Sequence, residues 1–299
     1  MNRVAEVINL NYAIKQGLDG RGIGIAIMDT GIGNHPDLTG FNGAFAGFFD
    51  TIDNHLTAYD DNGHGTHVAG IIAGNGFNSN GLYRGIAPGS KIYMIKILNS
   101  NGEGNTSNIL SGIQWILNNY QRLGIRIVNI SVGSIRNKRF SEASPLVMGV
   151  NKLWENGLVV LTAAGNHGPA NSSIGAPGNS RKIITVGDSD FIQFHKGYDF
   201  SGRGPTSTCI KKPDVVAPGT NIISCTPKTP FSKSSYLARS GPSMSTPIVS
   251  GCIALLLQKN PYMTNKEVKL HLRNTLFDLG YPHSRQGWGL IKCDRLLNF

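Results

Sequence analysis

Short apolar runs alternate with segments of helical period along most of the chain, and this alternation restricts the available folds more than any other feature. Residues 22–28 (GIGIAIM), 91–98 (KIYMIKIL), 125–131 (IRIVNIS), 158–164 (LVVLTAA) and 182–186 (KIITV) read as buried strands. Between them, residues 64–74, 105–119, 141–156, 243–259 and 267–276 carry small and apolar residues at helical spacing. Thr106 or Ser107 would cap the second of these, and Pro247 falls near the first turn of the fourth, where proline is tolerated. Continuously apolar strands alternating with helices predict a mostly parallel sheet covered on both faces, a three-layer α/β fold. No Pro/Ser-rich linker and no repeat divides the 299 residues, so one domain over 1–299 is expected.

Composition narrows the function classes. With 38 glycines and only 15% charged residues, the chain suits a compact, turn-rich fold, not a disordered or coiled-coil one. The net charge of +10 raises nucleic acid and anionic membranes as partners. No nucleic-acid motif and no basic run interleaved with aromatics supports the first. The densest basic stretches, Arg136-Asn137-Lys138-Arg139 and Lys211-Lys212, read as solvated surface. No apolar stretch approaches the roughly 20 residues of a membrane-spanning helix. The segment Met1-Asn2-Arg3-Val4-Ala5-Glu6-Val7 lacks the features of a signal peptide, so a cytoplasmic setting is expected, with a secreted mature fragment as the alternative. Cys209, Cys225, Cys252 and Cys293 show no metal-ligand spacing and read as reduced thiols, with a Cys209–Cys225 disulfide left open.

Polar residues gather where the strands end, which is where open α/β sheets place their sites. Asp29 closes the first strand in Ile27-Met28-Asp29-Thr30-Gly31. His64 opens a helix in Gly63-His64-Gly65-Thr66-His67-Val68-Ala69-Gly70. Ser243 opens another in Gly241-Pro242-Ser243-Met244-Ser245-Thr246-Pro247. A hydroxyl becomes a nucleophile when an imidazole takes its proton and a carboxylate fixes the imidazole's tautomer. Asp29, His64 and Ser243 can supply these three parts. Each segment alone has a plainer reading, as a turn acid, an incidental histidine and an N-cap serine. Their joint occurrence is what points to catalysis. His67, one turn along from His64, reads as packed or hydrogen-bonded.

Together, and in the Asp…His…Ser order known for subtilisin, the three segments resemble the signatures of the subtilisin-like serine peptidases, most nearly the bacterial intracellular subtilisins. The resemblance covers residues 4–296. It implies a subtilisin-like fold and a serine endopeptidase, either a general protease or one that matures precursors. Thr162-Ala163-Ala164-Gly165-Asn166 is similar to the family's oxyanion segment, with Asn166 as side-chain donor beside the backbone N–H of Ser243. By the same resemblance an extended substrate strand would lie between Asn101-Gly102-Glu103-Gly104 and Ser131-Val132-Gly133. Ala163, Ala164 and Gly165 would wall the first specificity pocket, with Gly175 near its base. Nothing acidic lies at that base, so a large apolar or aromatic residue is expected just before the cut. Glu103, where the family commonly has a small residue, would favour a basic residue two or four positions before it.

The chain departs from the pattern in places. Pro242 stands where the family usually has threonine, removing a secondary oxyanion donor, so slower turnover of some substrates is expected. Ser245 replaces an alanine. The chemistry needs no cofactor, but the family's calcium site would use Asp37 and an oxygen from Asn78 in a loop of altered length. Calcium takes roughly six to eight oxygen ligands, of which these are two. The expected partners are protein or peptide substrates, without nucleic acid or membrane. A homo-oligomer stays open, with no sequence feature supporting it. The reading from another class is an inactive pseudoprotease acting as a binding or regulatory protein.

Overall fold

The computed structural model describes residues 1–131, 143–190, 199–227 and 234–298. Two short helices, α1 (Asn2–Val7) and α2 (Leu10–Lys15), lead into strand β1 (Gly24–Asp29), which is buried along its whole length. The one-turn helix α3 (Pro36–Thr39), β2 (Phe45–Asp50), α4 (His64–Ala73) and β3 (Lys91–Lys96) follow. Next come α5 (Thr106–Leu123), β4 (Ile125–Ile130), α6 (Pro145–Glu155), β5 (Val159–Ala163) and β6 (Ile184–Asp188). The remaining elements are β7 (Val215–Ala217), β8 (Ile222–Cys225), β9 (Tyr236–Arg239), α7 (Pro242–Lys259), α8 (Asn265–Thr275), α9 (His283–Gln286) and α10 (Cys293–Leu296).

Seven strands form one parallel sheet in the order β2-β3-β1-β4-β5-β6-β7, while β8 and β9 make a separate antiparallel pair. Helices α4 and α7 pack against each other and onto the sheet, and so do α5 and α6, giving the three-layer α/β arrangement the apolar alternation predicts. Helix α7 is apolar all round, and every residue from Met244 to Leu257 is buried, as expected of a helix sunk in a core. Its first turn emerges at the carboxyl end of the sheet, the end that also carries Asp29.

Local chemistry explains several boundaries. The cap of helix α5 is Asn105, one residue before the expected Thr106 or Ser107: its side chain accepts from the Asn108 N–H at 2.8 Å. Helix α8 begins at a capping box, with the Thr264 hydroxyl on the Glu267 N–H and the Glu267 carboxylate on the Thr264 N–H. The helix expected over 141–156 runs from Pro145, and residues 141–142 lie outside the described residues.

Candidate active site

Asp29 ends β1 with its side chain fully buried, and His64 begins α4 with its ring one-fifth exposed. Asp29 Oδ1 accepts the Thr30 N–H at 2.8 Å and lies 2.7 Å from His64 Nδ1. A carboxylate there places the ring proton on Nδ1 and leaves Nε2 as a lone-pair acceptor. The turn after β1 and the start of α4 touch backbone to backbone. A Cβ added at Gly65 would lie 2.2 Å from the Gly31 carbonyl oxygen, so only glycine permits the approach. Burial opposes a charged His64, but the Asp29 carboxylate outweighs it by charge and hydrogen bond and raises the imidazole above its ordinary value; Arg239 pulls down and Asp60 adds an upward pull.

Ser243 is the second residue of α7, partly exposed at a helix N-terminus where backbone N–H groups point outward. Gly241 precedes it at φ +140°, a conformation open to glycine, and a Cβ there would lie 3.2 Å from Ser243 Oγ and 3.4 Å from Asn166 Oδ1. The Ser243 hydroxyl and the Asn166 amide oxygen therefore both border the Gly241 turn. Asn166 is exposed just beyond β5, and the Gly241 N–H is held by the Gly219 carbonyl at 2.8 Å.

The expected substrate-binding residues fall into three groups. Gly102, Glu103 and Gly104 lie on an exposed loop tied beside His64, since the Asn62 side chain donates to the Ser100 carbonyl at 2.9 Å. Ser131 is buried at the end of β4 and accepts from Asn129 at 2.7 Å, while Val132 and Gly133 lie outside the described residues. Ala163 and Ala164 are buried, Gly165 and Gly175 are partly exposed, and the Ala163 and Gly175 carbonyls both lie within 3.3 Å of a Cβ added at Gly178. The turn that carries Gly175 thus packs on the Ala163 backbone through Gly178.

Two residues that the sequence reading passed over, Asp60 and Lys96, surround the turn that carries the acid–imidazole pair. Asp60, on the loop before α4, accepts from the Thr30 hydroxyl and from both the N–H and hydroxyl of Thr66. Lys96 is fully buried in β3, and its ammonium donates to the Thr30 carbonyl at 2.6 Å, Asp61 at 2.7 Å and the Leu98 carbonyl at 3.0 Å. His67 sits as expected of a packing residue. Its Nε2 lies 2.9 Å from both the Ile222 and Leu237 carbonyls, and burial pushes its pKa down to about 3, so it stays neutral and pins the β8–β9 pair to α4.

The calcium expectation meets an unsuitable donor set. Asp37 and Asn78 are neighbours, but Asp37 Oδ1 accepts the Asn78 backbone N–H at 2.8 Å and Oδ2 accepts the Tyr236 hydroxyl at 2.8 Å. The Cys225 thiol stands 3.9 Å from Oδ2, and the Asp37 N–H donates to His35 Nδ1 at 3.1 Å. Protons and a thiol surround the carboxylate where a calcium ion would need oxygens, so these residues do not fit the ion. His35, Asp37 and Cys225 do place ligand-type atoms within 4.8 Å of one another. The imidazole is already engaged, with Nε2 2.9 Å from the Ser235 carbonyl. All four cysteines are free thiols, which removes the Cys209–Cys225 disulfide from consideration.

A buried carboxylate on an imidazole, with a helix-terminal serine and an exposed amide at the same end of a parallel sheet, is an arrangement suited to a serine hydrolase. Comparison with known proteins gives the family. The sequence profile described as "Subtilase family" matches residues 20–289. The chain is 41% identical over 278 residues to "Serine protease AprX" of Bacillus subtilis (strain 168), covering 87% of this chain and 62% of that protein. It is 36% identical over 282 residues to "Subtilisin Savinase" of Lederbergia lenta, covering 94% of this chain and 93% of that protein. A solved structure, "Crystal structure of a cold adapted subtilisin-like serine proteinase", superposes with a TM-score of 0.73 at 28% identity, covering 92% of this chain and 90% of that one. The chain belongs to the subtilase family and is by class a serine endopeptidase. Among the described residues no helix is long and apolar enough to cross a membrane.

Proposed function

We propose that Ser243 is the nucleophile of this endopeptidase, His64 its general base, Asp29 the carboxylate that orients the base, and Asn166 the side-chain donor to the oxyanion. The observation that carries this reading is the 2.7 Å Asp29–His64 contact, set at the same sheet end as the Gly241 turn, which both Ser243 Oγ and Asn166 Oδ1 border. In the proposed cycle Ser243 Oγ attacks the scissile carbonyl carbon while His64 Nε2 takes its proton. The imidazolium is stabilised by Asp29. Negative charge on the former carbonyl oxygen is met by the Asn166 amide and the Ser243 N–H, at the positive end of α7. His64 then gives its proton to the leaving amine. Water, deprotonated by the same nitrogen, releases the acyl group and restores the hydroxyl.

An extended peptide would pair with the 101–104 loop and with the segment beginning at Ser131, its side chain before the cut resting on Ala163, Ala164 and Gly165. Whether the natural targets are many proteins or a few precursors is decided by profiling, after one test of the site. Purified wild-type chain and Ser243→Ala are treated with a fluorophosphonate probe. Labelling confined to the wild type is expected. A folded wild type that stays unlabelled would sink this reading in favour of a pseudoprotease.

A further inference from the structure

Asp60 is a buried carboxylate with no part in the cycle above, yet five hydrogen bonds converge on it. Oδ1 accepts from Thr30 Oγ1 at 2.9 Å, Gly63 N at 2.8 Å and Asn62 N at 3.2 Å. Oδ2 accepts from Thr66 N at 2.9 Å and Thr66 Oγ1 at 2.5 Å. Capping of α4 accounts for the bonds from 62, 63 and 66. It does not account for Thr30, which belongs to the turn after β1. The Thr30 hydroxyl both donates to Asp60 and accepts the Gly65 N–H at 2.9 Å, while the Thr30 N–H donates to Asp29 Oδ1, the oxygen that also holds His64 Nδ1. These bonds close a ring through Asp29, Thr30, Asp60 and the backbone on either side of His64.

We propose that Asp60 is a positioning residue that locks the His64 imidazole onto Asp29 through the Thr30 hydroxyl, an inference that rests on the reading of His64 as the general base. A ring of short bonds fixes both partners more tightly than the single Asp29–His64 contact could. Misplacing a general base by an ångström is enough to slow an enzyme by about a hundredfold. Asp60 also acts by charge. The groups that face His64 are Asp29 and Asp60, which favour its protonated form, and Arg239, which opposes it; the neutral His67 lies one turn along α4.

The experiment reads His64 itself, by histidine NMR on the full chain carrying Ser243→Ala so that it cannot digest itself. In Asp60→Asn the His64 titration midpoint should move to lower pH, and the low-field Nδ1–H signal should weaken. In Thr30→Val that signal should be lost, and Thr30→Ser, which keeps the hydroxyl, should restore it. With Ser243 present, Asp60→Asn should lower kcat on the order of tenfold to a hundredfold at little change in KM, with the acidic limb of kcat/KM shifted to lower pH. A folded Asp60→Asn whose His64 midpoint and low-field proton match the parent overturns the proposal and leaves Asp60 as a cap. If Asp60→Asn fails to fold, the Thr30→Val and Thr30→Ser pair decides, since equal signals in the two would overturn it as well. The expected NMR response together with an unlabelled wild-type Ser243 would sink the peptidase reading and leave Asp60 as the lock on the Asp29–His64 pair without a general-base role.

Discussion

Asn166 is exposed beyond the end of β5, and its amide shares the space around Gly241 with the Ser243 hydroxyl. In the proposed role, its Nδ2 group would act on charge that appears only as the acyl carbon becomes tetrahedral. Its removal should therefore act on the chemical step far more than on binding. Steady-state kinetics of Asn166→Ala should show kcat lower by about 10²–10³ with KM nearly constant. A proportional rise in KM at constant kcat would instead make Asn166 a substrate-binding residue. The candidate site of Asp29, His64, Ser243 and Asn166 could be proposed from sequence because each residue sits in a short, distinctive segment of fixed residue types. Asp60 could not. A lone acid in a polar loop has no period and no motif, and its importance comes from a hydroxyl contributed by Thr30, thirty residues earlier in the chain. Lys96 was hidden for the opposite reason: inside an apolar strand, a lysine reads as an edge residue until its three acceptors are seen.

Elements were legible where burial is continuous. The strands with unbroken apolar runs lie within about two residues of their expected positions. Strand β2 (Phe45–Asp50) was missed because it is an edge strand, half-buried, with Gly47 interrupting its phenylalanines. The β8–β9 pair was missed because each strand has only four residues and β9 is largely exposed. That pair matters through Asp37. Tyr236, at the start of β9, donates to Asp37 Oδ2, and burial together with this carboxylate pushes the phenol up to about 12. The carboxylate thus staples α3, the 75–83 loop and β9 with protons in place of a cation. Chelation by EDTA should leave the thermal midpoint unchanged, while Tyr236→Phe should lower stability by about 1.5–3 kcal/mol in urea unfolding. A midpoint that falls on chelation would return a metal ion to this place.

Across the whole molecule, the layered α/β arrangement was foreseeable from the apolar alternation, whereas the packing of the first and last segments was not. The Cys293 N–H donates to the Ile8 carbonyl at 2.7 Å, and Lys259 reaches the Leu297 carbonyl at 2.7 Å. Arg3 forks onto Asp190, whose carboxylate also takes the Gly219 and Thr220 N–H groups. These are long-range pairings between segments with no apolar period, and local sequence carries no trace of them. Helix α7 is the central member of this assembly, touching α4 and strands β4 to β7. Its mid-helix amides should exchange hydrogen only as slowly as the whole protein unfolds. Faster exchange at 248–256 than in β1 would show that the helix opens on its own.

Because α7 is buried along almost all its length, the serine at its tip stands on an element the molecule cannot release while remaining folded. With Ser243 as the proposed nucleophile, acylation would be a census. Each chain that took up the probe would be a native chain, and the fraction labelled in a sample would measure the fraction folded. Heat, denaturant or a distant core substitution should lower the number of active molecules before it changes how fast each survivor works.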